Sequence, residues 1–86
     1  MSDYKTYTGA ISRNYTATEK CLITIYGFMN SDAYAHISVN GVRVMTMQAA
    51  GNARNDMRYV LLNNGDLLDV TTGGDFLAFE IKKYTK

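Results

Sequence analysis

Tyr34-Ala35-His36-Ile37-Ser38-Val39-Asn40-Gly41-Val42-Arg43-Val44-Met45-Thr46-Met47 consists of two β-favouring runs on either side of an Asn-Gly pair. A two-residue type I′ turn needs positive φ at both central positions, which Asn and Gly tolerate best, so the stretch predicts a β-hairpin. Such a turn also sets the register. Val39 is expected opposite Val42, Ser38 opposite Arg43, Ile37 opposite Val44, His36 opposite Met45 and Tyr34 opposite Met47. One face then carries Ala35, Ile37, Val39, Val42 and Val44 and reads as core. The other carries Tyr34, His36, Ser38, Arg43, Met45 and Met47. A solvent-facing strand pair is normally more charged than this second face, which marks it as a contact surface.

The flanking sequence follows the same pattern. Cys21-Leu22-Ile23-Thr24-Ile25-Tyr26-Gly27-Phe28-Met29 is the longest apolar run. Cys21, Ile23 and Ile25 share one strand face; Leu22, Thr24, Tyr26 and Phe28 share the other. A strand apolar on both faces is normally covered on both. The second cover is either a neighbouring chain or the N-terminal segment. Further strands are expected at Met57–Leu62, Leu67–Thr71 and Phe76–Lys82, the last with Leu77, Phe79 and Ile81 inward. Asn63-Asn64-Gly65-Asp66 and Thr72-Gly73-Gly74-Asp75 are turns, with Gly65 supplying positive φ. Gln48–Asn55 lacks β patterning and reads as an exposed loop. The total is about six to eight short strands with closely spaced turns, which predicts an all-β antiparallel sandwich. Residues 1–14 are expected to form an N-terminal arm or added edge strand, and residues 15–86 the sandwich domain.

Composition narrows the function. The 86 residues carry 9 Lys and Arg against 8 Asp and Glu, a formal net charge of +1. A nucleic-acid binder would show a clustered basic face, so no nucleic-acid partner is expected. Lys82, Lys83 and Lys86 read as a solvated basic tail that discourages edge pairing. No run approaches the roughly 18 apolar residues of a membrane span, so no membrane insertion is expected. The start, Met1-Ser2-Asp3-Tyr4-Lys5, lacks a signal-peptide pattern, and synthesis in a cytoplasm is expected. A single cysteine precludes an internal disulfide. A small domain without such staples often gains stability by oligomerising.

No catalytic constellation, cofactor site or metal site is expected. Cys21 lies on an apolar strand and His36 on the hairpin's mixed face, which offers no nucleophile–base pair. Asp66, Asp69 and Asp75 do not match a dense calcium loop. Seven tyrosines, among them Tyr26, Tyr34 and Tyr59, are the stronger signal. Tyrosine is enriched at interfaces because it buries area while keeping a polar tip. The candidate interface residues are Leu22, Tyr26, Phe28, Tyr34, His36, Arg43, Met45 and Met47.

The order of elements carries a resemblance. Tyr15-Thr16-Ala17 leads into Leu22-Ile23-Thr24-Ile25; Ile37-Ser38-Val39-Asn40-Gly41-Val42-Arg43-Val44 follows. A polar loop and Leu62-Asn63-Asn64-Gly65-Asp66 then precede the closing strands. Over residues 15–84 this resembles the small β-sandwich domains at the tips of tailed-bacteriophage fibres and related accessory virion proteins. Asn64 stands where such domains commonly have lysine before Gly-Asp, and Glu19-Lys20-Cys21 lacks a glycine that they often place there. The sequence opens without a fibrous stalk, which favours a separate head-fibre or decoration component over a receptor-binding tip. The resemblance implies a jelly-roll-like sandwich, a homotrimer, a place in the virion, and contacts with other virion proteins or the host surface. It implies no catalytic residue. The alternative function is a carbohydrate-binding module that uses exposed tyrosines against a surface glycan.

Overall fold

The computed structural model describes residues 3–86; the first two residues of the expected N-terminal arm lie outside the described residues. Eight strands follow in order: β1 (Thr6–Ala10), β2 (Asn14–Thr16), β3 (Cys21–Met29), β4 (Tyr34–Val39), β5 (Val42–Gln48), β6 (Arg54–Leu62), β7 (Leu67–Gly73) and β8 (Phe76–Thr85). They form two four-stranded antiparallel sheets, β1-β8-β3-β6 and β2-β7-β4-β5. Successive strands alternate between the sheets except at the β4–β5 hairpin. Two such interleaved sheets of eight strands make a jelly-roll sandwich.

The expected hairpin is present. Asn40 has φ 53° and Gly41 φ 82°, so both central residues are left-handed as a type I′ turn requires. Gly65 is also left-handed, at φ 93°. Val39 pairs with Val42 and Ser38 with Arg43, but a bulge between Ile37 and Ser38 then shifts the register. Beyond it Ile37 faces Met45, His36 faces Thr46, Ala35 faces Met47 and Tyr34 faces Gln48. The extra residue on β5 turns its remainder over, as a bulge must in a structure of period two. Met47 is therefore fully buried and Met45 packs against the core, while Val42 and Val44 are exposed. The unbulged pairing placed Val44, Met45 and Met47 the other way round; Val42 pairs with Val39 in either register and is exposed beside the turn.

The core lies between the sheets. Cys21, Ile23, Ile25 and Met29 of β3 meet Ala35 and Ile37 of β4, Leu68 and Val70 of β7, Met47 and Ile81. A second bulge, between Phe28 and Met29 on the β3–β8 ladder, pairs Met29 with Phe76 and leaves Leu77 59% exposed. Phe76, rather than Leu77, packs against the core. Gly27 makes room for it: a Cβ there would sit 3.0 Å from the Phe76 ring and 3.3 Å from Met47 Cε.

Three segments depart from their local propensities. Arg54 and Asn55 fall within the loop expected over Gln48–Asn55, yet they extend β6 because they pair with Met29 and Phe28. Residues 72 and 73 extend β7 by pairing with Ala35 and Tyr34. Lys83 is not a free tail residue. It faces inward opposite Ile23, bonds Glu19 at 3.1 Å and lies 5.6 Å from the Tyr15 ring centre.

Two turns are tied together by side chains. Asn40 donates through Nδ2 to Asp66 Oδ1 at 3.0 Å and accepts from the Leu67 N–H at 2.9 Å. Asp66 Oδ2 in turn accepts from the Asn63 N–H at 2.8 Å. These bonds, the Asn40 side chain's first, hold the Asp66 carboxyl below the usual aspartate range.

Candidate interaction surface

The outer face of the sheet β1-β8-β3-β6 is built by alternation. Residues 22, 24, 26 and 28 of β3 point away from the buried row of Cys21, Ile23 and Ile25. Leu22 sits between Leu61 and Tyr84, Thr24 between Tyr59 and Lys82, Tyr26 between Met57 and Glu80, and Phe28 between Asn55 and Ala78. Tyr7 of β1 continues the ladder, with its ring centre 5.4 Å from that of Tyr84. Met57 and Tyr7 are each 53% exposed, Tyr59 50% and Leu61 45%. Leu22 is already buried among its neighbours at 7% exposure, and the N-terminal strand does not cover the rest of the face, since β1 extends the same sheet beyond β8.

The face is concave at two places. One cavity of about 460 Å³ is lined by Thr24, Tyr26, Met57, Glu80, Lys82 and Tyr84. Another, of about 450 Å³, lies where β1 crosses to β2, between Tyr7, Ile11, Ser12, Arg13, Phe79 and Glu80. Glu80 and Lys82 stand between the two and pair with each other at 3.3 Å. That hydrogen bond raises the Lys82 ammonium above its usual range. The pair contributes no net charge, so the remaining chemistry of the face is aromatic and aliphatic.

The opposite sheet presents a different surface. Tyr34, His36 and Ser38 point outward from β4, beside Gln48, Thr46, Thr71 and Asp69. Tyr34 and His36 stack at 4.7 Å between ring centres with 39° between planes. The Tyr34 ring lies over Gly73, where any Cβ would collide with it. His36 Nδ1 is 3.1 Å from Thr46 Oγ1. Arg43 is exposed.

The eight sequence-derived interface residues therefore fall in three places. Leu22, Tyr26 and Phe28 stand on the apolar outer face. Tyr34, His36 and Arg43 stand on the polar side. Met45 and Met47 face inward, so Met47 cannot meet a partner on the hairpin's outer face. Met57, Tyr59, Leu61, Tyr84 and Tyr7 complete the apolar face and were not grouped with it. For β6 the signal is incomplete, since Val60 is apolar like Tyr59 and Leu61 and only Arg58 marks an alternation.

The other candidate groups are engaged elsewhere. Cys21 is buried within the core, and burial pushes its thiol up, whereas His36 is on the outside of the other sheet. Asp69 lies 3.5 Å from Asn14 Nδ2, and Asp75 accepts from Asn30 Nδ2 at 3.0 Å. Among the described residues, no three His, Cys, Asp or Glu side chains converge as a metal site would require. Comparison of the chain with protein-family models, with curated proteins and with solved structures returned no match.

Proposed function

We propose that this protein is a non-enzymatic structural component of a phage virion, a head-fibre or decoration module that assembles through the outer face of the β1-β8-β3-β6 sheet. The observation that carries this reading is the exposure of Tyr7, Met57, Tyr59 and Leu61 together on one sheet face. Contiguous apolar surface of that kind marks a contact site. Four strands at about 4.8 Å spacing and about nine residues at 3.3 Å give roughly 600 Å² of sheet per copy. Two copies would bury about 1,200 Å² in total, the lower bound for a specific interface. The neutral Glu80–Lys82 pair gives two copies no charge repulsion at the centre.

The occupant is thus a second copy of this chain. In the trimer that the phage resemblance implies, each copy would divide the face between two neighbours. Light scattering on the wild type and on Tyr26→Ser tests the reading. An oligomeric wild type and a lighter, still folded variant support it. A wild type that stays monomeric at high concentration, or a variant of unchanged mass, overturns it.

The polar sheet favours a second activity for the same module, binding of a surface glycan. The stacked Tyr34–His36 pair is a flat apolar platform for a sugar ring, and Thr46, Thr71, Gln48 and Ser38 supply hydroxyl and amide partners around it. Glycan titration followed by NMR should shift these residues and leave the other sheet unchanged. A Tyr34→Ala variant that binds glycan as the wild type does would exclude the platform.

A further inference from the structure

The sandwich has four open strand edges, and they differ. β1 has a register break between Tyr7 and Gly9, β2 has 3 residues, and β5 carries the hairpin bulge. β6 is 9 residues long, and its ladder with β3 runs from Arg54 to Leu62 without interruption. A long, flat, unpaired edge is a template for another strand.

The free edge shows which residues would pair. Met57 N–H donates to Asp56 Oδ1 at 2.8 Å, and Met57 C=O accepts from Arg58 Nη1 at 3.2 Å. Both backbone groups of Met57 therefore point away from β3. By alternation, so do those of Asn55, Tyr59 and Leu61. In the isolated chain, the side chains on either side of Met57 occupy the positions that an incoming strand would take.

We infer that β6 pairs antiparallel with β6 of a second copy, about a two-fold axis through Met57. This register is selected by charge. Asp56 and Arg58 lie on one row of the strand, bonded to each other at 2.5 Å. With Met57 opposite Met57, Asp56 of each copy faces Arg58 of the other, twice per contact. Side chains on one face pair only when the register shifts by two residues, and a shift of two in either direction sets Asp56 against Asp56 or Arg58 against Arg58; like charges directly opposite are destabilising. The exchange replaces the local side-chain caps with about six backbone hydrogen bonds between the odd-numbered residues. It also places Tyr59 opposite Asn55, so the apolar row continues across the junction. Such a contact is isologous. It joins the two sheets into one of eight strands and doubles the copy number reached through the sheet face.

This contact uses atoms other than those of the face, so the Tyr26→Ser background reads it separately. In that background the chain should be a dimer by sedimentation velocity. Asp56→Arg and Arg58→Asp should each halve the mass, because each sets like charges opposite each other. Mixed one to one, the two variants should recover the dimer, since each supplies the charge that the other lacks. The double variant, which restores the pairing, should dimerise alone. Met57→Pro provides a check that leaves charge untouched: it removes an edge N–H that β3 does not use, and should also give monomers with intact β circular dichroism. Single variants that keep the parent mass, or a mixture that stays monomeric, overturn the inference; the second result would show that Asp56 and Arg58 serve only to close the edge.

Discussion

The bulge in β5 decides which side chains of the central hairpin belong to the core, and two substitutions measure it. Met47 is fully buried, with its Cε beside Gly27 and near Phe76, while Val44 is 47% exposed. Truncating a buried methionine removes its transfer free energy and leaves a cavity that a close-packed sandwich fills only in part, a cost of about 2–5 kcal/mol. For a domain of this size about 3 kcal/mol corresponds to a fall in Tm of roughly 12–24 °C. Val44→Ala removes surface that is already half in water, so the expected cost is below about 1 kcal/mol. Urea unfolding followed by circular dichroism gives both values, at a concentration that is held constant because assembly shifts apparent stability. In the unbulged register the order reverses: Val44 would be core and Met47 would be on the surface. A Val44→Ala cost that exceeds that of Met47→Ala would refute the bulged register and the face assignment built on it.

Gly41→Val places a β-branched residue at φ 82°, a strain of about 1–3 kcal/mol; the variant should melt earlier, and an unchanged Tm would show that this turn does not set the hairpin. Asp66 has a folded pKa below its unfolded value of about 3.9, so the stability it contributes is present above that value and is lost as pH falls through the folded pKa. Asp66→Asn should therefore weaken the fold at neutral pH, and the difference from wild type should shrink on acidification; a difference that is constant with pH would exclude the ionised clamp. Gly27→Ala brings a methyl within 3.0 Å of the Phe76 ring, and overpacking of this kind costs about 1–3 kcal/mol; an unchanged urea midpoint would show that the ring is free to move.

Much of the sandwich was legible because turn chemistry and period-two alternation are local properties. Asn40-Gly41 announced a turn that only left-handed residues can make, and Cys21–Met29 announced a strand buried along its inner row. The two bulges were not legible, because Arg43-Val44-Met45 and Leu77 contain no glycine or proline to mark an inserted residue. From the bulge onward, every expected β5 side chain moved to the other face. Arg54 and Asn55 carry no strand signal in the sequence, because their strand character comes from pairing with β3 rather than from propensity. The Asn40–Asp66 clamp joins residues far apart in sequence, and either residue alone reads as a simple turn former. The apolar face was half visible: Leu22, Tyr26 and Phe28 signalled a second buried side for β3, but only the strand order β1-β8-β3-β6 brings Tyr59, Leu61 and Tyr84 beside them.

In the proposed assembly this sheet face is covered by another copy of the chain. Hydroxyl-radical footprinting read by mass spectrometry, at a dilute and at an assembled concentration, tests it residue by residue. Tyr26, Tyr59, Leu61 and Tyr84 should lose reactivity as the protein assembles, while the exposed Val44 on the other sheet should react equally in both samples. If the mass rises with concentration and these four residues stay as reactive as in the monomer, the chain assembles through some other surface.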